Sequence, residues 1–445
     1  MRAAANQLVA MGGCAERRAA GSSGQMILAV LMLLPCRVVV APNSAAQVTF
    51  HPPVHVGESN WSHFWMPSSL FKGVNEDVLM AVDMAGDGKP CPPPGHPQNC
   101  SALYRSRDSG GSWEQIYGNI PGMALPIPGQ PGSGRVRAYN FDSKASTTSS
   151  SYEVFSAMWL DTASSGVQRV GAESIMVPLT GFPPLAGPPA MSGNVVRLGN
   201  SSTLIGTMYG RLKQSSKGCH PFEGKGAPPW PGCDSNFYAA STDEGQSWQY
   251  RSHLNWLPGM SPKAEGITES SITQLQDGRL LSIVRLNSNL PMYKVYSTDE
   301  ARTWSELEET KTWAVYPQLR TLPNGAVVLA SGRPGLGFWV SAEGDGSSWT
   351  YYNLCAEHNR LYPDPLYHYQ QTELDVRNVS SPGTWPPQTK AYIGMVLLGC
   401  GGGGGGGSEC DLLLSYDRLA NGNSGPPGPW GSVDAVFAMR VSVTV

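Results

Sequence analysis

Three segments of similar build each end on an arginine: Asn194–Arg211 (NVVRLGNSSTLIGTMYGR), Ser271–Arg285 (SITQLQDGRLLSIVR) and Gln318–Arg333 (QLRTLPNGAVVLASGR). A guanidinium is permanently charged and donates two parallel hydrogen bonds to a carboxylate. A single arginine is ordinarily a solvated surface residue. Arginines recurring at one position of a repeated unit converge from different directions when the units surround an axis. Arg285 and Arg333 therefore form a candidate carboxylate-binding pair, and Arg211 is a third arginine at the same repeat position. No CxxC or HExxH spacing occurs and the eight histidines are scattered, so the sequence indicates no metal site and no organic cofactor.

The elements that must hold these arginines are β-hairpins. Each segment is a β-rich run, a turn of Asn, Asp, Gly or Ser, and a second β-rich run. Between them lies another repeat, S-x-D-x-G-x-x-W, at Ser106–Trp113 and Ser241–Trp248. Ser297–Trp304 keeps Asp299 but has Ala301 for the glycine, and Ser341–Trp349 carries one extra residue. The Asp accepts backbone N–H bonds in a tight turn, the Gly tolerates positive φ, and the Trp packs beneath. Asp108, Asp243 and Asp299 are thus expected in surface turns, with a structural role. The Ser271–Arg285 and Gln318–Arg333 hairpins run directly into such a turn, giving four strands per unit, the size of a propeller blade. The expected fold is all-β, a six-bladed β-propeller over residues 47–445 with no long helices.

Composition agrees with that reading. The chain has 445 residues, 52 Gly and 37 Pro, which signals many turns without reaching the share typical of disorder. Charged residues make only 15%, while 13 Trp and 17 Tyr supply packing surface. A formal charge of -3 without a Lys/Arg run excludes nucleic acid as an expected partner. Residues 1–46 read as a leader: Arg17 and Arg18 precede the apolar run Met26–Ala41, which Pro35 and Arg37 interrupt, and Ser44-Ala45-Ala46 offers a cleavage site. The run is too short to span a bilayer comfortably, so no stable membrane span is expected in the mature chain; an uncleaved N-terminal anchor is the alternative. Sequons at Asn60, Asn99, Asn200 and Asn378 fit a secreted glycoprotein. Cys91/Cys100, Cys219/Cys233 and Cys400/Cys410 each bracket a Gly- or Pro-rich loop and are expected as disulfides, which leaves Cys355 as a thiol. Gly401–Gly407 lacks the Lys-Ser/Thr that a phosphate loop requires and is expected as an excursion between strands.

Taken together, the S-x-D-x-G-x-x-W turns, known as Asp boxes, the segment from Glu269 through Leu275, Asp277-Gly278 and Leu280-Leu281 to Arg285, and Leu329-Ala330-Ser331-Gly332-Arg333-Pro334 resemble the sialidase (neuraminidase) superfamily. The resemblance covers most of the mature chain. It implies an exo-α-sialidase-like glycoside hydrolase acting on sialylated or other acidic glycans. Arg285 and Arg333 would hold the sugar carboxylate, Glu269 would activate a tyrosine nucleophile, and a loop aspartate would serve as acid/base. For the aspartate, Asp87 in the turn Gly86-Asp87-Gly88 is expected, since Asp83 lies along a strand-like run. The chain departs from the family pattern twice. Trp65, in Phe64-Trp65-Met66-Pro67, stands where the family has its first arginine and offers a stacking face without charge; Arg211 is the candidate to compensate. Gln371 stands at the family tyrosine, and Tyr369, on the same face of a strand at that spacing, is the expected nucleophile. Two other readings share these residues: a catalytically silent glycan-binding propeller and a protein-interaction scaffold.

Overall fold

The three arginine-terminated segments are strand pairs, each in a different one of the six sheets that the described residues form. The computed structural model describes residues 46–445 except 60–65, 74–75, 84–100, 119–123, 128–134, 141–153, 165, 177, 186–188, 200, 214–233, 256–265, 287–289, 372–387, 402–407 and 421–433. In chain order, β1 (Gln47–Phe50) and β2 (Val54–Ser59) precede a first sheet of β3 (Met66–Lys72), β4 (Val78–Asp83), β5 (Ser101–Ser106) and β6 (Glu114–Gly118). The second sheet is β7 (Ala124–Ile127), β8 (Arg135–Asn140), β9 (Val154–Ser164) and β10 (Gly166–Met176). In the third, β11 (Leu179–Thr180) flanks β12 (Ala190–Arg197), β13 (Leu204–Arg211), β14 (Asp234–Ser241) and β15 (Trp248–Leu254). The fourth runs through β16 (Ser270–Gln274), β17 (Leu280–Val284), β18 (Pro291–Ser297) and β19 (Glu308–Trp313), and the fifth through β20 (Val315–Thr321), β21 (Val327–Gly332), β22 (Leu336–Ser341) and β23 (Thr350–Asn353). A short helix, α1 (Leu354–Leu361), leads toward the last sheet, β24 (Gly394–Gly401), β25 (Glu409–Arg418) and β26 (Asp434–Thr444). Both β1 and β2 pair antiparallel with the outer side of β26.

The sheets follow one another in a closed ring. First strands touch in succession, β3 with β7, β7 with β12, β12 with β16, β16 with β20, and β24 with β3. Between sheets lie apolar layers. Leu281, Met292, Leu319 and Trp339 join the fourth to the fifth, Val328, Phe338, Met395 and Phe437 the fifth to the sixth, and Met80, Tyr104, Leu413 and Val436 the sixth to the first. Strands buried on both faces in this way explain nearly continuous apolar runs such as Leu280–Val284 and Val327–Ala330, each residue at most 2% exposed, the small polar Ser282 included. The chain is an all-β propeller.

The S-x-D-x-G-x-x-W turns join the third and fourth strands of their sheets. In the first, Asp108 Oδ1 accepts from Ser106 Oγ at 2.8 Å and from Ser112 N at 2.8 Å, and Trp113 Nε1 donates to the Gly110 carbonyl at 3.1 Å. Asp243 and Asp299 repeat the pattern. Gly110 has φ +97°, and a Cβ there would stand 2.7 Å from Leu413, so both backbone and space demand glycine. Ala301 adopts φ 65° in the third turn and is fully buried.

These turns carry a pH signature. The Thr303 hydroxyl and N–H, with Ser297 and Arg302, hold the Asp299 carboxyl down to about 2 from the ordinary 3.8. A depressed carboxyl adds stability that is complete above the unfolded value and is lost as pH falls through the folded one. Thermal unfolding of wild type and Asp299→Ala should therefore differ at neutral pH and converge as pH falls from about 4 toward about 2. A gap that stays constant over that range would mean the carboxylate charge contributes nothing to the turn.

Among the described cysteines, Cys400 and Cys410 form a disulfide across β24 and β25, and Cys355 is a buried thiol. Cys91, Cys100, Cys219 and Cys233, the four sequons' asparagines and residues 1–45 lie outside the described residues.

Candidate functional site

Antiparallel register explains why the chemistry gathers at one end of the ring. In the fourth sheet Ser270 pairs with Val284, so Glu269, just before the innermost strand, faces Arg285, just after the second. Their backbones continue the ladder, with Arg285 N donating to the Glu269 carbonyl at 3.0 Å. The neighbouring sheets use the same end: Arg211 closes β13, Arg333 follows β21, and Tyr392 stands two residues before β24.

Glu269 is the hub. It is 4% exposed, and its Oε2 takes an ion pair from Arg285 Nη1 at 2.8 Å and the N–H of Tyr316 at 2.9 Å. Its Oε1 accepts the Tyr392 hydroxyl at 2.6 Å. The Tyr316 N–H reaches this carboxylate because β20 is irregular between Val315 and Gln318, where Tyr316 takes φ 46°; such a bulge re-aims backbone groups. The Tyr316 and Tyr392 rings lie 4.8 Å apart, and the Arg333 guanidinium sits 5.9 Å from the centre of the Tyr392 ring, with Nη2 donating to the Lys390 carbonyl at 3.3 Å. Arg333 and Tyr392 each keep part of their surface accessible.

The electrostatics set the two oxygens apart. Burial alone would raise the Glu269 carboxyl, but the Arg285 charge, the Tyr392 and Arg285 hydrogen bonds and the Arg333 charge outweigh it and hold the group below the usual carboxylate range. Burial, then the charge of Glu269, pushes the Tyr392 phenol up, with Arg285 and Arg333 acting against both. At rest the proton belongs to the phenol. Transfer to Glu269 becomes favourable only as negative charge leaves the phenol oxygen, that is, as it forms a bond to an electrophile.

The residues expected from sequence fall into three groups. Glu269, Arg285 and Arg333 lie together. Arg211 stands at the same end of its sheet, and its Nε donates to Asp234 Oδ1 at 3.1 Å, an ion pair that offsets its charge. The half-buried Tyr209 phenol links the two places: desolvation raises it most, and the charges of Glu269 and Asp234 both add to the shift. Asp87 and Trp65 lie outside the described residues.

Tyr369 is elsewhere. Its hydroxyl donates to the Asp417 carbonyl at 2.6 Å, and its ring packs 5.2 Å from that of His358 in the apolar layer between the fifth and sixth sheets. The expectation that it lies on a strand fails, because Pro365–Tyr367 is a 3-10 turn and residues 368–370 are not extended in any sheet. The phenol on Glu269 is Tyr392, which sequence reading missed together with Tyr316. The available signal was position: Lys390-Ala391-Tyr392 immediately precedes the apolar run of the innermost strand, as Glu269 precedes β16.

No family model and no curated protein sequence matches the chain. Solved structures do resemble it. A protein of unknown function from Dyadobacter fermentans superposes with TM-score 0.55 at 15% identity, over 89% of this chain and 99% of that one. An α-L-arabinanase from Penicillium chrysogenum, complexed with arabinobiose, gives TM-score 0.50 at 13% identity over 88% and 98%. The Hadza microbial sialidase gives 0.51 at 11% over 85% and 66%, so the chain spans about two thirds of that protein. The fold is one that propeller glycosidases share. At these identities the likeness concerns the fold, and glycosidases of more than one specificity carry it.

Proposed function

We propose that the protein is a retaining exo-glycosidase that removes terminal sialic acid, or a related acidic sugar, from glycans in a secretory or extracellular setting, with each of the six sheets counted as one blade. The observation that carries this reading is the Tyr392 hydroxyl on the Glu269 carboxylate at 2.6 Å with Arg285 and Arg333 beside it. In the reaction the Tyr392 oxygen bonds to the anomeric carbon while its proton passes to Glu269. The bond from that carbon to the leaving oxygen breaks, and the leaving oxygen takes a proton from an acid, for which Asp87 is the candidate. Water then attacks the same carbon and gives a proton to the conjugate base of that acid, the bond from the carbon to the Tyr392 oxygen breaks, and that oxygen recovers its proton from Glu269, retaining configuration overall. Arg333, with Arg285, would receive the sugar carboxylate. Tyr392 takes the role that the sequence assigned to Tyr369.

A second reading has a specific observation behind it. Glu269 already accepts three bonds and is held strongly ionised, which makes it a weak base, and Arg211 is tied to Asp234. A site so satisfied suits a glycan-binding module that no longer turns over.

The test is hydrolysis of a fluorogenic sialoside beside a panel of other acidic and neutral glycosides, with the first-formed anomer followed by NMR. Turnover of an acidic glycoside with retention is expected. Binding without turnover would favour the second reading, and neither binding nor turnover would leave both without support. The arginines should separate in that assay. Arg333→Ala is expected to weaken binding of the acidic sugar by roughly 1.5–3 kcal/mol while barely moving the unfolding midpoint. Arg285→Ala leaves the buried Glu269 without its charge partner and should cost about 3–5 kcal/mol of stability. Equal stability of the two variants would contradict the buried-pair description.

A further inference from the structure

Tyr392 has to present its phenol from a segment without regular structure, and one buried side chain holds that segment. Extending the Gly394–Ser415 pairing of β24 and β25 by two residues sets Tyr392 opposite Asp417, as Glu269 is set opposite Arg285 in the fourth sheet. Asp417 is fully buried. Its Oδ1 accepts the Thr389 hydroxyl at 2.6 Å and its Oδ2 accepts the Lys390 N–H at 2.6 Å. The Thr389 oxygen in turn accepts the Ala391 N–H at 2.8 Å, and Ala391 takes φ 69°, a conformation that an alanine holds only when its surroundings impose it. On the other side the Lys390 carbonyl accepts from Arg333, and Tyr392 ends the segment on Glu269.

We propose that Asp417 is a positioning residue for Tyr392: its carboxylate fixes the Thr389–Ala391 turn, and the turn delivers the phenol to Glu269. The proposal rests on the Tyr392–Glu269 pair of the reading above, but it concerns geometry that exists in the protein whether or not it turns over. Tyr369 acquires a purpose in this arrangement, since its hydroxyl caps the main-chain carbonyl of the same Asp417. The buried phenol thus supports the turn that carries the other tyrosine.

The experiment uses the full chain labelled with tyrosine carrying carbon-13 at the ring carbon that bears the hydroxyl. Tyr392→Phe identifies the Tyr392 signal, and Glu269→Gln shows where that signal moves when its acceptor is changed. In Asp417→Ala the Tyr392 signal should leave its wild-type position, while the signal of Tyr238, bonded to Ser282 between the third and fourth sheets, stays in place. Asp417→Asn, which keeps an acceptor for the Lys390 N–H, should restore part of the shift. If Asp417→Ala does not fold, Thr389→Val removes one of the carboxylate's two partners and should move the same signal. An unchanged Tyr392 signal in the folded Asp417→Ala protein, or in Thr389→Val where that is the only folded variant, overturns the proposal. If the wild type hydrolyses an acidic glycoside, Asp417→Ala should also lower kcat about 10- to 100-fold with KM little changed, as a slight misplacement of a reacting group does. A wild type without turnover removes the glycosidase reading alone, and the NMR result still decides for or against Asp417.

Discussion

Tyr392→Phe is expected to remove turnover of an acidic glycoside while the protein folds and binds the sugar as before. The substitution deletes one oxygen, which is the proposed nucleophile, and leaves the ring between Tyr316 and Arg333. Glu269→Gln should lower kcat by roughly 10²–10⁴-fold, the usual worth of a positioned proton acceptor, with a smaller change in sugar binding. Tyr369→Phe is the contrast. It removes a buried hydroxyl from the Asp417 carbonyl, costs about 0.5–1.5 kcal/mol of stability, and should leave most of kcat. Because Glu269 is held below the ordinary carboxylate value of 4.5, the acid limb of kcat/KM for the free protein should fall below pH 4.5. Steady-state kinetics of the three variants on one glycoside checks all of this, and substantial turnover by Tyr392→Phe would exclude that phenol as nucleophile.

Phe437→Ala is expected to cost about 3–5 kcal/mol of folding free energy, the typical loss for a large aromatic removed from a close-packed interior. Phe437 is fully buried on β26, with the rings of His358 at 4.7 Å, Tyr362 at 5.0 Å, His55 at 5.4 Å and Tyr367 at 5.7 Å around it. Those partners come from β2, α1 and the chain that follows α1, so one side chain ties the sixth sheet to the strand added from the N-terminal side. Chemical unfolding followed by tryptophan fluorescence reads the effect. A loss below about 1 kcal/mol would show that the aromatic cluster closes over the gap.

Much of this architecture can be read from the chain because it is local. A hairpin is written in consecutive residues, and the Glu269–Arg285 pair lies within one hairpin's reach, where register alone brings the two together. The Asp-centred turns are likewise contained in a few residues, with Asp108, Asp243 and Asp299 bonded to neighbours no more than four positions away. Tyr392 belongs to a different order of information. Residues 354–393 intervene between the fifth sheet and β24, and no periodicity counts across a helix and a 3-10 turn. The parity rule used for Tyr369 holds only along a strand. Tyr316 was hidden for another reason: its contribution is a backbone N–H, exposed by an irregularity in β20 that side-chain chemistry does not announce. Asp417 had no local mark at all, since its partners lie 27 and 28 residues back along the chain.

The pairing of β26 with β1 and β2 joins the two extremes of the described chain, with Gln47 opposite Thr444 and Val54 opposite Ala438. During synthesis β1 and β2 must therefore wait, without their partner, until β26 has left the ribosome. The intermediate that waits is an open arc with unsatisfied hydrogen-bonding edges, the kind of surface on which chains pair with one another. The same adjacency makes the molecule a good subject for circular permutation. A short linker joining the end of β26 to the start of β1 would turn the seam into a covalent loop, and new ends placed between two sheets would move the waiting period to a different part of the ring.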